Sequence, residues 1–549
     1  MFSQFDERIA EAFARLPDYL GGHVLVSMTA LALGLLISVP LALLAFRRQA
    51  LRQVLLGIAS IVQTIPGLAL LALFYPLLLA ISALTEKVFG FAFSALGFLP
   101  SVLALALYSM LPVLRNTITG LAGIAPAVRE AATGVGMTRR QSLVEVELPL
   151  ALPVIMGGIR TSAVWVIGTA TLSTPIGQTS LGNYIFAGLQ TQNWVFVLFG
   201  CVVAAMLALV VDQLLSQMEI GVSTRRRSRI VLGAAGLVLI GAGALVPTLR
   251  AGVATYTVGA KTFSEQYILA ALLQQRLDAN GLPADRRDGL GSSVIFNALA
   301  ANEIDVYVDY SGTIWANQMN RTDVKPRAEV LREVATWLRE QYGVTMLGGL
   351  GFENAYALAM PRERAEALGI RTIADLAQRA GTMSIAGDYE FFSRPEWKAL
   401  QAAYALGFAS ERQMQAEFMY QAAAAGDVDV IAAFTSDGRL AQYDMVTLQD
   451  PKHALPPYDA IVLVAPQRAQ NKAFLDALRP LIGAINVQLM REANLRTIVG
   501  AEGASSESVA RWLWEEIVRR KKPASRARSL DDVNKNAARD AALRFAGGR

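Results

Sequence analysis

The chain has 549 residues, of which 53% are hydrophobic and 17% charged, with a mean hydropathy of +0.37 and a formal net charge of +5. That length exceeds one ordinary domain. The apolar excess lies before residue 250 and the basic residues cluster at the ends of apolar runs, which is the mark of membrane topology and not of nucleic-acid binding. Cys201 is the only cysteine, which excludes a disulfide scaffold and a cysteine-rich zinc site.

The first twenty residues carry Asp6, Glu7, Arg8, Glu11, Arg15 and Asp18 without an apolar core, so no cleavable signal peptide is expected. A bilayer core of ~30 Å needs roughly 20 apolar residues per helix. Six runs qualify: Val24–Phe46, Val54–Leu84, Phe93–Leu114, Pro153–Leu172, Val195–Leu215 and Ile230–Leu249. Arg160 and Trp165 interrupt the fourth. Pro66 and Pro112 fall inside runs, where each deletes a backbone hydrogen bond. Either they kink helices for packing, or a helix breaks beside a solute path with Gln63 and Thr64 as its polar lining.

Orientation follows from the short loops. Arg47, Arg48 and Arg52 separate spans one and two. Arg115, Arg129, Arg139 and Arg140 separate spans three and four, and Arg225, Arg226, Arg227 and Arg229 separate spans five and six. These loops are expected in the cytoplasm, which places the N-terminus and everything after about residue 254 outside.

Between spans three and four stands Glu130-Ala131-Ala132-Thr133-Gly134-Val135-Gly136, followed by Leu148-Pro149. The alanines favour a short helix, Gly136 lets the backbone turn, and such a helix can dock as a knob in a partner's groove. An ordinary amphipathic loop helix is the plain alternative. The pattern resembles the cytoplasmic coupling loop of ABC importer permeases, with Glu130, Ala131, Ala132, Gly136, Leu148 and Pro149 at the motif positions. No P-loop accompanies it: Gly259-Ala260-Lys261-Thr262 lacks the upstream glycine and the glycine before lysine. The resemblance therefore implies a separate cytoplasmic ATPase in two copies and a permease homodimer.

From Tyr256 the texture changes to short β-branched runs alternating with helical patterns. Strands are expected at Tyr256–Gly259, Ile304–Val308, Met383–Ala386, Val428–Ala432 and Ala460–Val464, and a helix at Ser264–Leu277. This alternation predicts an α/β fold of two lobes with mostly parallel sheets. Four motifs occur in order: Val258 to Gln266, Glu303 to Thr313, Gly426 to Arg439, and Pro456-Pro457-Tyr458-Asp459-Ala460. Together they resemble the solute-binding domain of glycine betaine, choline and carnitine importers over roughly residues 254–520. Gln63-Thr64-Ile65-Pro66 matches the permeases of the same class.

The resemblance implies a cage of aromatic rings, because a quaternary ammonium has no N–H to donate and is held by ring quadrupoles at roughly 0.5–2 kcal/mol per ring. The matching positions are Tyr310, Tyr356 and Tyr458, with Phe434 where many relatives have tyrosine. A ligand carboxylate would meet Lys261, Thr313 and Arg394, with Gln266 a further cleft residue. For each of these a packing or surface role is the alternative. Tyr307, Tyr389, Tyr420 and Tyr443 are read as packing or rim residues, and Asp388, Glu390 and Asp437 as hinge or rim charges. His23 and His453 fall in different halves, so neither a two-histidine metal site nor a Ser-His-Asp triad is expected, and no cofactor is implied.

The expected organisation is an α-helical permease over 1–229 with its coupling loop at 130–149, and a last span and tether over 230–253. A two-lobed binding domain like those of periplasmic binding proteins follows over 254–522, with a charged tail over 523–549. Such a chain sits in a bacterial inner membrane against lipid and imports a small cationic or zwitterionic osmoprotectant. The other readings are another betaine-like solute such as ergothioneine, or a membrane sensor that does not transport.

Overall fold

The computed structural model describes residues 2–91, 93–190, 193–250, 256–321, 323, 325–388, 391–499 and 505–521. Tyr389, Glu390, the residues between the last span and the first strand, and the C-terminal tail lie outside these. The chain divides into two compact units, residues 1–263 with 284–305, and residues 264–283 with 306–549.

The first unit holds α1 (Phe2–Ala45), α2 (Gln49–Thr64), α3 (Gly67–Phe89), α4 (Phe98–Ala122), α5 (Pro126–Gly134), the single turn α6 (Arg139–Gln141), α7 (Leu148–Ala170), α8 (Gly182–Gln190), α9 (Trp194–Ser223) and α10 (Arg227–Arg250). Among the described residues six helices are long and apolar enough to cross a membrane. Their order matches the six expected runs, but two expectations change. The first helix starts near residue 2, so the polar opening is helical as well. The second run is not one kinked helix: α2 ends at Thr64, Ile65 and Pro66 are extended, and α3 begins at Gly67.

The break before Pro66 and the proline inside α4 are tied to each other by side-chain bonds. Pro112, inside α4, has no N–H for the carbonyl of Tyr108 four residues earlier. That carbonyl accepts from the Gln63 side-chain amide at 3.0 Å. In return the Tyr108 hydroxyl donates to the carbonyl of Ile65, at the break before Pro66. The motif Gln63-Thr64-Ile65-Pro66 therefore answers backbone groups that have no water to turn to, and Thr64 bonds back to the Ile61 carbonyl at 2.7 Å. Close approach of the helices rests on glycine. A Cβ on Gly158 of α7 would stand 2.8 Å from the Pro112 carbonyl oxygen of α4, and one on Gly34 of α1 1.8 Å from Ser109 Oγ. The charge within the fourth span is paired: Arg160 makes a two-pronged bond to Asp212 at 2.9 Å and a third to Glu219 at 2.8 Å.

The loops meet as the charge rule expects. Arg47, after α1, and Arg129, in α5, converge on one carboxylate, Glu147. On the opposite loops, Glu303 accepts from Ala95 N–H at 2.9 Å and Ser94 Oγ at 3.0 Å, and Gly291 N–H donates to the Pro175 carbonyl at 3.2 Å. The segment 284–305 thus meets permease loops that carry few basic residues, which agrees with its place outside the cytoplasm.

Ten strands follow: β1 (Tyr256–Lys261), β2 (Ala284–Leu290), β3 (Val306–Tyr310), β4 (Thr345–Glu353), β5 (Tyr356–Pro361), β6 (Ser384–Gly387), β7 (Ser410–Gln413), β8 (Val430–Phe434), β9 (Met445–Thr447) and β10 (Asp459–Val464). They form two five-stranded sheets, ordered β2-β1-β3-β10-β4 and β7-β6-β8-β5-β9. The sheets are mixed and not mostly parallel. β1 with β2 and β6 with both β7 and β8 are parallel, whereas β10 runs antiparallel to β3 and β4, and β5 antiparallel to β8 and β9. The reason is the crossing: β4 ends the first sheet at Glu353, and after only Asn354 and Ala355 β5 starts the second at Tyr356. A strand that arrives without a helical crossover need not run parallel to its neighbours.

Replacing Gln63 by Leu leaves the Tyr108 carbonyl without a donor, at about 1–3 kcal/mol. The expected outcome is a melting midpoint lowered by several degrees in detergent-solubilised protein. In a Pro112→Ala background, where the helix can supply its own N–H, the same change should cost little. Equal losses in both backgrounds would contradict the pairing.

Candidate functional sites

The loop between α4 and α7 is built as its residues dictate. Pro126 starts α5, where its missing N–H costs nothing. Glu130 and Ala131 are exposed while Ala132 turns inward. Gly136 takes φ 81°, a left-handed turn that suits glycine. Thr138 and Gln141 then form a reciprocal capping box, a π-helical turn spans Ser142–Glu147, and Leu148-Pro149 open α7. The sequence reading passed over Glu147, which is 1% exposed and accepts from Arg47 at 2.8 Å and Arg129 at 3.2 Å. Arg129 also reaches the Leu121 carbonyl. A carboxylate in a run of Val and Glu gives no local sign of such partners.

In the second unit the strand registers bring the aromatic residues together. Tyr356 faces Phe434 directly across the antiparallel β5–β8 pair, and their ring centroids lie 4.7 Å apart. Tyr310 ends β3 opposite Ala460, which places Tyr458, two residues before Ala460, over Gly312. A Cβ on Gly312 would stand 2.5 Å from the Tyr458 ring, so the glycine of Asp-Tyr-Ser-Gly-Thr makes room for that ring. Ser311 fixes the two motifs to each other, its hydroxyl donating to the Pro457 carbonyl at 2.8 Å and accepting from Asp459 N–H at 2.9 Å. Tyr458 meets Tyr356 edge to face, with centroids 6.3 Å apart at 88°. The Arg394 guanidinium stands 5.5 Å from the Tyr356 ring centre and 3.8 Å from Glu396. A cation already occupies one aromatic approach.

Each of the three tyrosines donates its hydroxyl to a different carboxylate. Tyr310 donates to Glu265 at 2.5 Å, Tyr356 to Asp388 at 3.0 Å, and Tyr458 to Glu396. Burial, with the adjacent carboxylate, holds the phenols of Tyr310 and Tyr458 well above the usual tyrosine range, so both keep the proton they donate. Gln266 donates to the Tyr310 oxygen at 3.1 Å, while Thr313 is buried in the turn that follows Tyr310. Lys261 is buried at the end of β1, in the other compact unit.

Glu265 lies in the first turn of the helix Ser264–Asp278, where the helix dipole favours an anion. Besides Tyr310 it accepts from Ser436 Oγ at 2.6 Å, Asn494 at 2.8 Å and Asn354 at 3.1 Å. Burial pushes its carboxyl above the ordinary range, against these donors. Asn354 belongs to the crossing between the sheets and Ser436 follows β8, so this carboxylate sits at the joint of the two lobes. Glu265 falls within the first of the four motifs, next to Gln266, but is not among the site residues that the resemblance implies. Of the residues read as hinge or rim charges, Asp388 is half-buried and backs Tyr356, whereas Asp437 is buried in a two-pronged pair with Arg439. Tyr307 and Tyr420 are fully buried, and Tyr443 packs against the second lobe's core.

Two family models match the chain. The substrate-binding domain of ABC-type glycine betaine transport systems matches residues 254–516, and the inner-membrane component of binding-protein-dependent transport systems matches 32–219. The ergothioneine transport permease/ergothioneine binding protein EgtU of Helicobacter pylori is 28% identical over 483 residues, covering 85% of this chain and 84% of that one. The choline transport system permease protein OpuBB of Bacillus subtilis is 41% identical over 197 residues, covering 36% of this chain and 83% of that one. A crystal structure of a glycine betaine/carnitine/choline ABC transporter covers 48% of this chain and 98% of its own at 24% identity, with a TM-score of 0.43.

Replacing Gly312 by Ala should displace the Tyr458 ring. Titration of intrinsic fluorescence with tetramethylammonium is expected to show binding weakened about tenfold, the share of one well-placed ring. Unchanged affinity would remove Tyr458 from the site.

Proposed function

Because the chain belongs to the inner-membrane permeases of binding-protein-dependent ABC importers, with a substrate-binding domain of the glycine betaine type fused behind the permease, we propose that it imports quaternary ammonium osmoprotectants such as glycine betaine, choline, carnitine and proline betaine. It is a multi-pass inner-membrane transport subunit whose binding domain faces away from the cytoplasm, and it works with an ATPase subunit on a small solute. The observation that carries the cargo is the ring of Tyr356 between Phe434 and Tyr458, with a guanidinium on its approach. Aromatic faces suit a head that lacks N–H donors, and Arg394 with Thr313 would meet a carboxylate at the solute's other end.

The working unit is a homodimer of this chain with two ATPase copies, since the described residues carry a single six-helix set. Residues 1–229 form the permease, 230–253 the last span and tether, and 254–522 the binding domain. Residues 130–149 form the coupling loop, with Glu130 and Ala131 on its exposed face and Gly136, Leu148 and Pro149 shaping its turn and its return to the membrane. The outer domain closes on solute, docks on the outward-open permease, and ATP binding by the partner switches the permease inward.

A second reading, an ergothioneine-like betaine as cargo, is favoured by the full-length likeness to EgtU and by Phe434, which offers a π face without a hydroxyl. Calorimetry on the full chain in nanodiscs separates the two. Micromolar binding of glycine betaine, choline or carnitine, weakened about tenfold by Tyr356→Ala, is expected. Tight binding of ergothioneine alone supports the second reading, and no binding below millimolar from any of the four sinks both. For the loop, Glu130→Lys should abolish uptake in vesicles with the ATPase present while leaving solute binding intact, and normal uptake would argue against the coupling role.

A further inference from the structure

The three tyrosines are not bare aromatic faces. Each is backed by its own carboxylate, and the three carboxylates come from separate segments: Glu265 from the helix Ser264–Asp278, Asp388 from the loop after β6, and Glu396 from the helix Pro395–Tyr404. Packing alone does not require this, because a backbone carbonyl or a water would satisfy a phenolic O–H at lower cost than a buried carboxylate. A phenol that donates to a carboxylate carries more electron density on its ring, which deepens the negative potential that attracts a cation.

Glu396 makes the case most strongly. Its side chain is 1% exposed, and one oxygen takes the Tyr458 proton. The other, Oε2, is buried and accepts no hydrogen bond among the described residues. Arg394 is the nearest paired cation, with Nη1 at 3.8 Å from the oxygen that already serves Tyr458. An acceptor in that state, beside an aromatic face, is suited to a positive group that arrives with the ligand. Asp388 fills the same place behind Tyr356, where it also accepts from the N–H of Phe391 at 2.9 Å.

We infer that Glu396 and Asp388 are specificity-determining residues, which make the aromatic site select a positively charged head over a neutral head of the same shape. This rests on the cation-binding reading above. Shape and apolar area alone would hold a trimethylammonium and a tert-butyl group about equally, so the discrimination between them is the quantity these carboxylates set. Arg394 limits the negative potential, so that a zwitterion with its carboxylate toward the arginine is accepted as well as a simple cation.

The test uses the full chain in nanodiscs and two probes, choline and its neutral tert-butyl carbon isostere, neither of which carries a carboxylate to engage Arg394. In the wild type choline is expected to bind more tightly. Glu396→Gln keeps the shape of the side chain and should weaken choline about tenfold while leaving the isostere within about twofold. Asp388→Asn, at the second ring, should act in the same direction and covers the case that Glu396→Gln fails to fold. Parallel loss of both probes in these variants would mean the carboxylates only hold the rings in place, and it overturns the inference. So does an unchanged choline preference. A wild type that binds choline, glycine betaine, carnitine and ergothioneine no better than at millimolar strength instead overturns the cation reading itself, and the inference with it.

Discussion

The constraint that shapes both halves of this chain is the cost of withdrawing a polar group from water without a partner, about 1–3 kcal/mol for each. In the membrane half the groups at issue are backbone carbonyls freed by proline. Pro112 frees the carbonyl of Tyr108 and the break at Pro66 exposes that of Ile65, and the side chains of Gln63 and Tyr108 answer both. In the binding half they are phenols and carboxylates. The hydroxyls of Tyr310, Tyr356 and Tyr458 each need an acceptor, and Glu265, Asp388 and Glu396 accept these hydrogen bonds.

Glu265 shows how the constraint becomes architecture. Four donors converge on its two oxygens, from Tyr310, Ser436, Asn354 and Asn494. A neutral side chain could not accept from all of them, and a charged one in this place needs nearly all of them. Because Asn354 lies in the crossing between the sheets and Ser436 just beyond β8, the same bonds that hold the first ring also run through the joint of the lobes. Hinge motion in such folds is absorbed by a few residues at element ends, and here those residues share one carboxylate.

What could be read from sequence divides along the range of the interaction. Six apolar runs and the loop arginines report on water and lipid, which act on each residue where it stands, so span count and order were legible. At Pro66 a kink and a break stayed open as alternatives, because the outcome depends on a partner 43 positions away, the Tyr108 hydroxyl that bonds the Ile65 carbonyl. Five of the ten strands among the described residues were placed within a few residues, while β2, β4, β5, β7 and β9 were missed. So was the antiparallel half of each sheet, since direction is set by how a strand arrives and not by its own pattern. In the site, residues carried by motifs were named, and their common setting followed from registers such as Tyr356 against Phe434. The carboxylates behind them were missed or misassigned. An Asp or Glu looks solvated in sequence until the fold places a phenol against it, as Asp388 in its loop and Glu396 in the first turn of its helix demonstrate.

The cytoplasmic loop obeys the same rule and gains a mechanical property from it. Arg47 follows α1, Arg129 lies in α5, and Glu147 ends the π-helical turn that leads into α7. Glu147 is buried while Arg47 and Arg129 reach it from the surface, so losing these partners leaves a buried carboxylate unsatisfied at a cost of about 1–3 kcal/mol. α5 is thus held to the ends of two membrane helices, while Glu130, Ala131 and Val135 stay exposed. The left-handed turn at Gly136 and the capping box at Thr138 fix the return path. In the proposed coupling role, a push on the exposed face of α5 cannot be absorbed by local bending of the loop. It has to move α1 and α7, and α7 is the helix whose Gly158 lies against the Pro112 carbonyl. A displacement entering at the loop therefore reaches the proline-marked region of α4 through contacts too tight to slip.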